Sequence, residues 1–367
     1  MNKRLAIVIL ISLLLLGAIA FVVYQRSGDS AATSRSRMLA SMPSTASTIL
    51  FADFAELRNS PLAAQLYSWA PRPQLDADYA QFLHDTGFDY ERDLDRIAIA
   101  VTKRQQDTSL VAIADGRFDR KKLNVYASQF GTHDKFSGHE VFTVPMGSAS
   151  PDANKPPANQ KTPPPSSPTP APHKISFAFL SNTRIAVTTD SNPAALFAPP
   201  ATGADAKDWR DRFDRLAGSP IFAVIRQDAA PGAAFAARAP GGLQSPQLSS
   251  LLDQLQWITI AGKPEDNILR VATEGECPAD ACARQLSDML NGILLLAQAG
   301  LNGPNVRRQL APESREAYLE LLKAAEVTRI DRGETKSVRL LIEITPKFLA
   351  AARSSIPAPP IPPAPKK

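Results

Sequence analysis

The chain has 367 residues, 21% of them charged, a formal net charge of +5 and a sequence isoelectric point near 9.2. Setting aside Lys3, Arg4, Arg26, Lys366 and Lys367 leaves basic and acidic residues in equal number, so the body presents no basic surface for nucleic acid, and nucleic acid is excluded as a partner. A body of this length buries a core without metals or crosslinks, and two cysteines are too few for a disulfide framework.

Leu5 to Tyr24 runs apolar behind Lys3 and Arg4, broken only by Ser12 and Gly17. At about 1.5 Å per residue, a helix of that length spans a hydrocarbon core roughly 30 Å thick. The expectation is therefore a cytoplasmic tail over residues 1–4, a single transmembrane helix over 5–24 that makes the membrane a partner, and a linker over 25–37. The body then lies on the periplasmic or extracellular side of the inner membrane. Ala18-Ile19-Ala20 also fits the small-residue rule for signal cleavage, which leaves secretion after a cut near Ala20 as the alternative. Phe21 to Tyr24 continue the apolar run past that point.

In the body, Thr48 to Phe54 is strand-like, and Asn59 or Ser60 caps a helix that opens with Pro61 and presents Leu62, Leu66 and Trp69 on one face. A short helix is expected over Asp78 to Thr86, then strands over Arg96 to Val101 and Thr108 to Ala114. Asp119 caps a helix with a Leu123, Ala127, Phe130 stripe that stops at Gly131. Strands over Glu140 to Val144, Lys174 to Leu180 and Arg184 to Thr189 close this half, and a short helix begins near Asn192. The proline-rich stretch Gly147 to Lys174 reads as a disordered insertion in a surface loop, and Ser355 to Lys367 as a disordered tail.

The second half replays the order. Ser219 to Ile225 corresponds to the strand around Ile49 to Phe54, and Leu255 to Ala261 parallels Leu94 to Ala100, with leucine on leucine and isoleucine on isoleucine twice. A strand over Ile268 to Thr273 precedes a helix from Pro278 to Ala299, matching the one opened by Asp119. A further helix from Pro312 to Glu326 has no counterpart. A hairpin, Val327 to Ile330 with Val338 to Ile344 around Asp331-Arg-Gly333, and a helix from Pro346 mirror Lys174 to Thr189 and its helix. The fold class is α+β: a single N-terminal transmembrane helix followed by an ectodomain of two similar, mostly antiparallel sheet-plus-helix units. The first unit covers 38–213 with its insertion at 147–174, the second covers 214–354, and the tail is 355–367.

No residue set carries chemistry. His139-Glu140 lacks the second histidine of a zinc-protease helix, and neither nucleophile-elbow nor phosphate-loop spacings occur; no cofactor or metal site is expected. The acids Asp89, Glu91, Asp93 and Asp95 miss the register of a calcium loop, and the interleaved Arg92 and Arg96 suggest ion pairing. Cys277 and Cys282 have two readings. A disulfide requires the helix to begin nearer Ala281, because five residues apart on one helix lies beyond bridging distance; otherwise Cys282 packs on the helix's apolar face. Trp69, Trp209 and Trp257 each sit in apolar periodic segments, as core residues do.

TGFDYERDLDRIAIAV (Thr86 to Val101), preceded by MLASMPSTASTILFADFAEL (Met38 to Leu57), resembles a family of uncharacterised bacterial envelope proteins anchored at their N-termini. The resemblance implies an extracytoplasmic α+β domain and supplies no active site. Three functional expectations follow. The first is a non-enzymatic binding or scaffold ectodomain that takes an envelope protein, or a hydrophobic ligand between its two units. The second is a hydrolase with a dispersed carboxylate site drawn from Asp53, Asp93 and Glu140, and the third is a structural spacer in the cell envelope.

Overall fold

The structure is a computed structural model that describes residues 33–64, 77–104, 107–145, 174–226, 246–333 and 335–354. The apolar run 5–24, Leu66 and Trp69 of the helix expected from Pro61, the proline-rich stretch from 147 to 173 and the tail 355–367 lie outside the described residues.

Twelve strands form one sheet in the order β11-β12-β10-β9-β8-β1-β2-β3-β7-β6-β5-β4. They are β1 (Thr48–Asp53), β2 (Leu94–Arg104), β3 (Asp107–Gly116), β4 (Thr132–Phe136), β5 (His139–Pro145), β6 (Lys174–Phe179), β7 (Arg184–Thr188), β8 (Ile221–Arg226), β9 (Trp257–Glu265), β10 (Ile268–Cys277), β11 (Glu326–Arg332) and β12 (Thr335–Ile344). Every pairing is antiparallel. The connectivity repeats: β1-β2-β3-β7-β6 on one side and β8-β9-β10-β12-β11 on the other, with the β4–β5 hairpin added to the first. The shift that carries Leu94 onto Leu255 also carries the closing pair of the β2–β3 hairpin, Arg104 with Asp107, onto that of β9–β10, Glu265 with Ile268.

Two parts of the expected architecture are corrected. The body is not two sheet units packed together, because β1 and β8 pair along their edges from Thr48↔Ile225 to Ala52↔Ile221 and fuse the halves into one sheet. Each half alone would leave its first strand as an apolar edge with unpaired backbone groups, and pairing those two edges removes the liability. Nor does a single N-terminal transmembrane helix stand as part of this fold: among the described residues no helix is long and apolar enough to cross a membrane.

Cross-strand partners share a face, which separates the two sides of the sheet. The front carries Ile49 and Phe51 of β1, Ala98 and Ala100 of β2, Ile113 of β3, Phe222 and Val224 of β8, and Ala261 of β9, all buried. Over it lie a helix at 33–40, through Met38 and Leu39, and the Gly203–Arg215 helix, through Trp209 and Phe213. On the back, the Asp280–Leu301 helix packs Cys282, Ala283 and Leu286 onto Cys277 and Val338. The Arg120–Phe130 helix covers the back at the other end, starting with Arg120 over the Phe179 ring at 5.2 Å.

Local chemistry explains the boundaries. The Asp119 carboxylate accepts from the Lys122 amide, and the helix stops at Gly131, which is extended rather than left-handed; a Cβ there would collide with the Thr143 carbonyl. Gly87, at φ +71°, ends the Ala77–Thr86 helix in the left-handed region that glycine enters without strain. Pro145 pairs with Lys174, so β5 and β6 stay in register although the long proline-rich stretch separates them in sequence.

Cys277 ends β10, the helix begins at Asp280, and Cys277 and Cys282 are bonded with their Cα atoms 5.8 Å apart. Pro278 and Ala279 make the turn that brings the second cysteine back over the strand.

The front face of the second half holds a charged core. Glu276, 1% exposed, accepts from Arg212 and, at 2.5 Å, from Arg215, both on the Gly203–Arg215 helix. Glu274 accepts from Arg332 and from Arg339 at 3.0 Å. Burial pushes the Glu274 carboxyl up, yet the hydrogen bonds from Arg332 and Arg339 outweigh it and hold the group below its ordinary value. Arg212 also lies over the Trp257 ring at 3.9 Å, a cation–π contact. Removing one member of such a buried pair strands its partner without solvent. Glu276→Ala is therefore expected to cost roughly 3 kcal/mol or more in urea unfolding, whereas Arg215→Ala, which removes the more exposed of the two arginines, should cost clearly less.

Candidate functional site

A cavity of about 600 Å³ lies on the front of the sheet, above β1, between the 33–40 helix and the Gly203–Arg215 helix. Its position follows from the chain path. The first helix precedes β1 and the second leads into β8, so the two roof elements meet above the seam where the halves join. Leu39, Met42, Ile49, Trp209 and Phe213 line the interior, and all five are buried. Segment 41–47 is tied to the approach of the second helix by the Pro43–Pro200 bridge and by the Ser44 amide donating to Pro199 at 3.1 Å.

Arg35 locks the roof. Its guanidinium donates to the carbonyls of Leu216 at 2.8 Å and Ala217 at 2.7 Å, groups left without helical partners at the end of the second helix. It also lies 4.8 Å and 5.0 Å from the centres of the Phe51 and Phe222 rings, which stack on one another across the seam. Burial lowers its pKa. One side chain thus joins the first helix, the second helix and both halves of the sheet.

The rim is charged with both signs. Arg37 and Arg210 are exposed and make no ion pair among the described residues. Asp214 and Glu56 stand with them. The Glu56 carboxyl is held above its usual range, first by partial removal from water and then by the neighbouring Asp53 charge. An apolar interior under a polar rim accepts a molecule with a greasy part and a polar end.

The carboxylates singled out in the sequence are not gathered. Asp53 caps the Phe54–Arg58 helix through the Glu56 amide and pairs with Arg96 at 2.6 Å. Asp53 reaches the cavity wall. Glu140 is exposed on β5 and lies 3.5 Å from Arg120. Asp93 ends the Tyr90–Asp93 helix, which Asp89 caps. The acidic cluster is an ion-paired clamp: Asp93 accepts from Arg92 at 2.7 Å and Arg117 at 3.5 Å, and Asp95 from Arg58 at 2.9 Å and Arg117 at 3.2 Å. Arg96, adjacent in sequence, turns instead to Asp53, because the strand alternation and a bulge at Leu94/Arg96 redirect it. Among the described residues no three His, Cys, Asp or Glu side chains are grouped to hold a metal ion.

Of the residues that line the cavity, sequence reading had singled out Asp53 as a candidate site residue. Residues 25–37 read as linker, so that the 33–40 helix was not expected, and Trp209 read as core. The available signal was the helical spacing of Trp209, Phe213 and Leu216, interrupted by arginines.

The hydrogen bond from Arg92, aided by the Asp89 amide and Arg117 against the opposing effect of burial, lowers the Asp93 pKa from 3.8 to about 2. A depressed carboxylate pKa contributes stability above the unfolded value that is lost as the pH falls through the folded one. Asp93→Asn should therefore be less stable than the parent at neutral pH. The gap in chemical-denaturation midpoint should narrow between about pH 4 and pH 2, where the parent's carboxylate protonates.

No family model matches the chain, and no curated protein matches it. Solved structures that match include three crystal forms of a protein called TP0453. Form III is 11% identical with a TM-score of 0.40, covering 87% of this chain and 98% of that one. Form IV is 12% identical with a TM-score of 0.39, covering 85% and 93%.

Proposed function

We propose that this chain is an exported, non-catalytic binding protein whose seam cavity takes the apolar part of an amphipathic small molecule. The observation that carries the reading is the cavity itself: about 600 Å³, within the range of small-molecule sites, apolar inside and polar at the rim. Its placement matters as well. The roof is two helices joined by the Arg35 contacts, so a ligand that seats beneath them bears on the element that unites the two halves. Export is supported by the Cys277–Cys282 disulfide, since such bonds persist in oxidising compartments and are reduced in the cytosol.

A small, partly shielded wall residue offers a way to fill the cavity without disturbing the sheet. Ala206 lines it from the Gly203–Arg215 helix. The purified protein is expected to yield a stoichiometric lipid-like or other amphipathic molecule on solvent extraction and mass spectrometry. It should also bind an environment-sensitive apolar fluorophore that the extracted molecule displaces. Ala206→Trp should fold with the parent's circular dichroism and weaken fluorophore binding at least tenfold, the cost of losing roughly one buried side chain's worth of apolar contact. Empty extracts together with unchanged fluorophore affinity in Ala206→Trp would overturn the reading.

A further inference from the structure

At the middle of the sheet the front is covered, and the back is partly open. Leu50 of β1, Leu110 of β3, Ile221 of β8 and Ile260 of β9 are linked by cross-strand partners to one face, and each is between 36% and 39% exposed. These strands are apolar on both sides, as in Ile49-Leu-Phe-Ala52 and Ile221-Phe-Ala-Val-Ile225. An antiparallel strand with one solvated face ordinarily alternates with polar residues there.

The Asp280–Leu301 helix packs on this same side and changes character along its length. Its first half buries Cys282, Ala283, Leu286 and Ser287 and leaves its charged residues outside. From Ile293 to Ala297 it is apolar all round, and no charged residue occurs between Asp288 and Arg307. Leu295 and Leu296 project with 66% and 74% of their surface exposed. Two adjacent exposed leucines at the apolar end of a helix are not the scattered surface hydrophobes of an ordinary monomer. Beyond the helix, Arg307 and Arg308 on the Pro304–Gln309 helix are exposed and make no ion pair among the described residues. An exposed apolar helix end followed in the chain by unpaired cations has the composition of a segment that meets an anionic bilayer surface, where hydrocarbon lies beneath phosphate.

We propose that the distal end of the Asp280–Leu301 helix docks peripherally on an anionic lipid bilayer. Leu295 and Leu296 enter the boundary between headgroups and acyl chains, and Arg307 and Arg308 meet the lipid phosphates. The helix lies at the surface and does not cross it; its 22 residues are not apolar enough to do so. The proposal is independent of the cavity's ligand.

The test reads this site alone, in the full chain, so that attachment through any other segment does not register. A polarity-sensitive fluorophore is placed on Leu296→Cys, the native cysteines being bonded to each other, and in a second protein on Lys207→Cys, an exposed position on the front-face helix. With vesicles of equimolar phosphatidylcholine and phosphatidylglycerol, the probe at 296 should shift to the blue and be quenched by lipids brominated on their chains; the probe at 207 should do neither. Arg307→Ala with Arg308→Ala should reduce the quenched fraction on the order of tenfold at low salt, with about a fivefold effect per arginine as the upper limit. That loss should disappear with pure phosphatidylcholine. An unchanged 296 probe, equal responses at 296 and 207, or an arginine effect that persists on neutral vesicles would each overturn the proposal. So would a blue shift that depends on protein concentration without vesicles, which would make the patch a contact between copies of the chain.

Discussion

The pairing of β1 with β8 is the constraint on which the rest of the structure depends. Each strand opens its half of the chain, each is apolar on both faces, and each would be an exposed edge if the halves stood apart. Joining them yields a twelve-stranded sheet and sets Phe51 directly opposite Phe222, where the rings stack at 5.1 Å between centres. Arg35 lies over both rings and binds the end of the Gly203–Arg215 helix, so the roof is positioned by the seam it covers.

From that seam the two faces diverge. In front, the roof helices do not fill the space between them, and the cavity is what remains. The second helix also inserts Arg212 and Arg215 toward Glu276, a charge arrangement whose most buried members depend on one another. The same helix therefore walls the cavity and completes the charged core, which ties the geometry of the proposed binding site to the stability of the second half. On the back, the two covering helices stand over opposite ends of the sheet, and apolar strand residues between them stay partly open. The molecule has a front built around an internal space and a back with an apolar helix end.

Much of this was legible along the chain. Asp119, Asn192 and Asp89 are caps because a short carboxylate or amide before a helix accepts from the first free amides, an interaction contained in four residues. The match of Leu94 to Ala100 with Leu255 to Ala261 pointed to a repeated strand order, and the two hairpins coincide under it. Less legible were β4, whose residues Thr132–Phe136 are all exposed and carry no apolar alternation, and the 33–40 helix, too short for a clear period. The ion pairs of the acidic cluster were expected from Arg92 and Arg96, but Arg58 and Arg117, distant in sequence, supply most of them.

The sequence by itself determined where most of the strands and several of the helices lie, because periodicity, capping and turn chemistry act over a few neighbouring residues. Only the tertiary structure decided that two similar halves share one sheet, that Glu276 faces Arg212, and that a cavity opens above β1. Those outcomes turn on which strand edges and helix faces remain unsatisfied once local structure has formed, and that is a property of the whole chain in space.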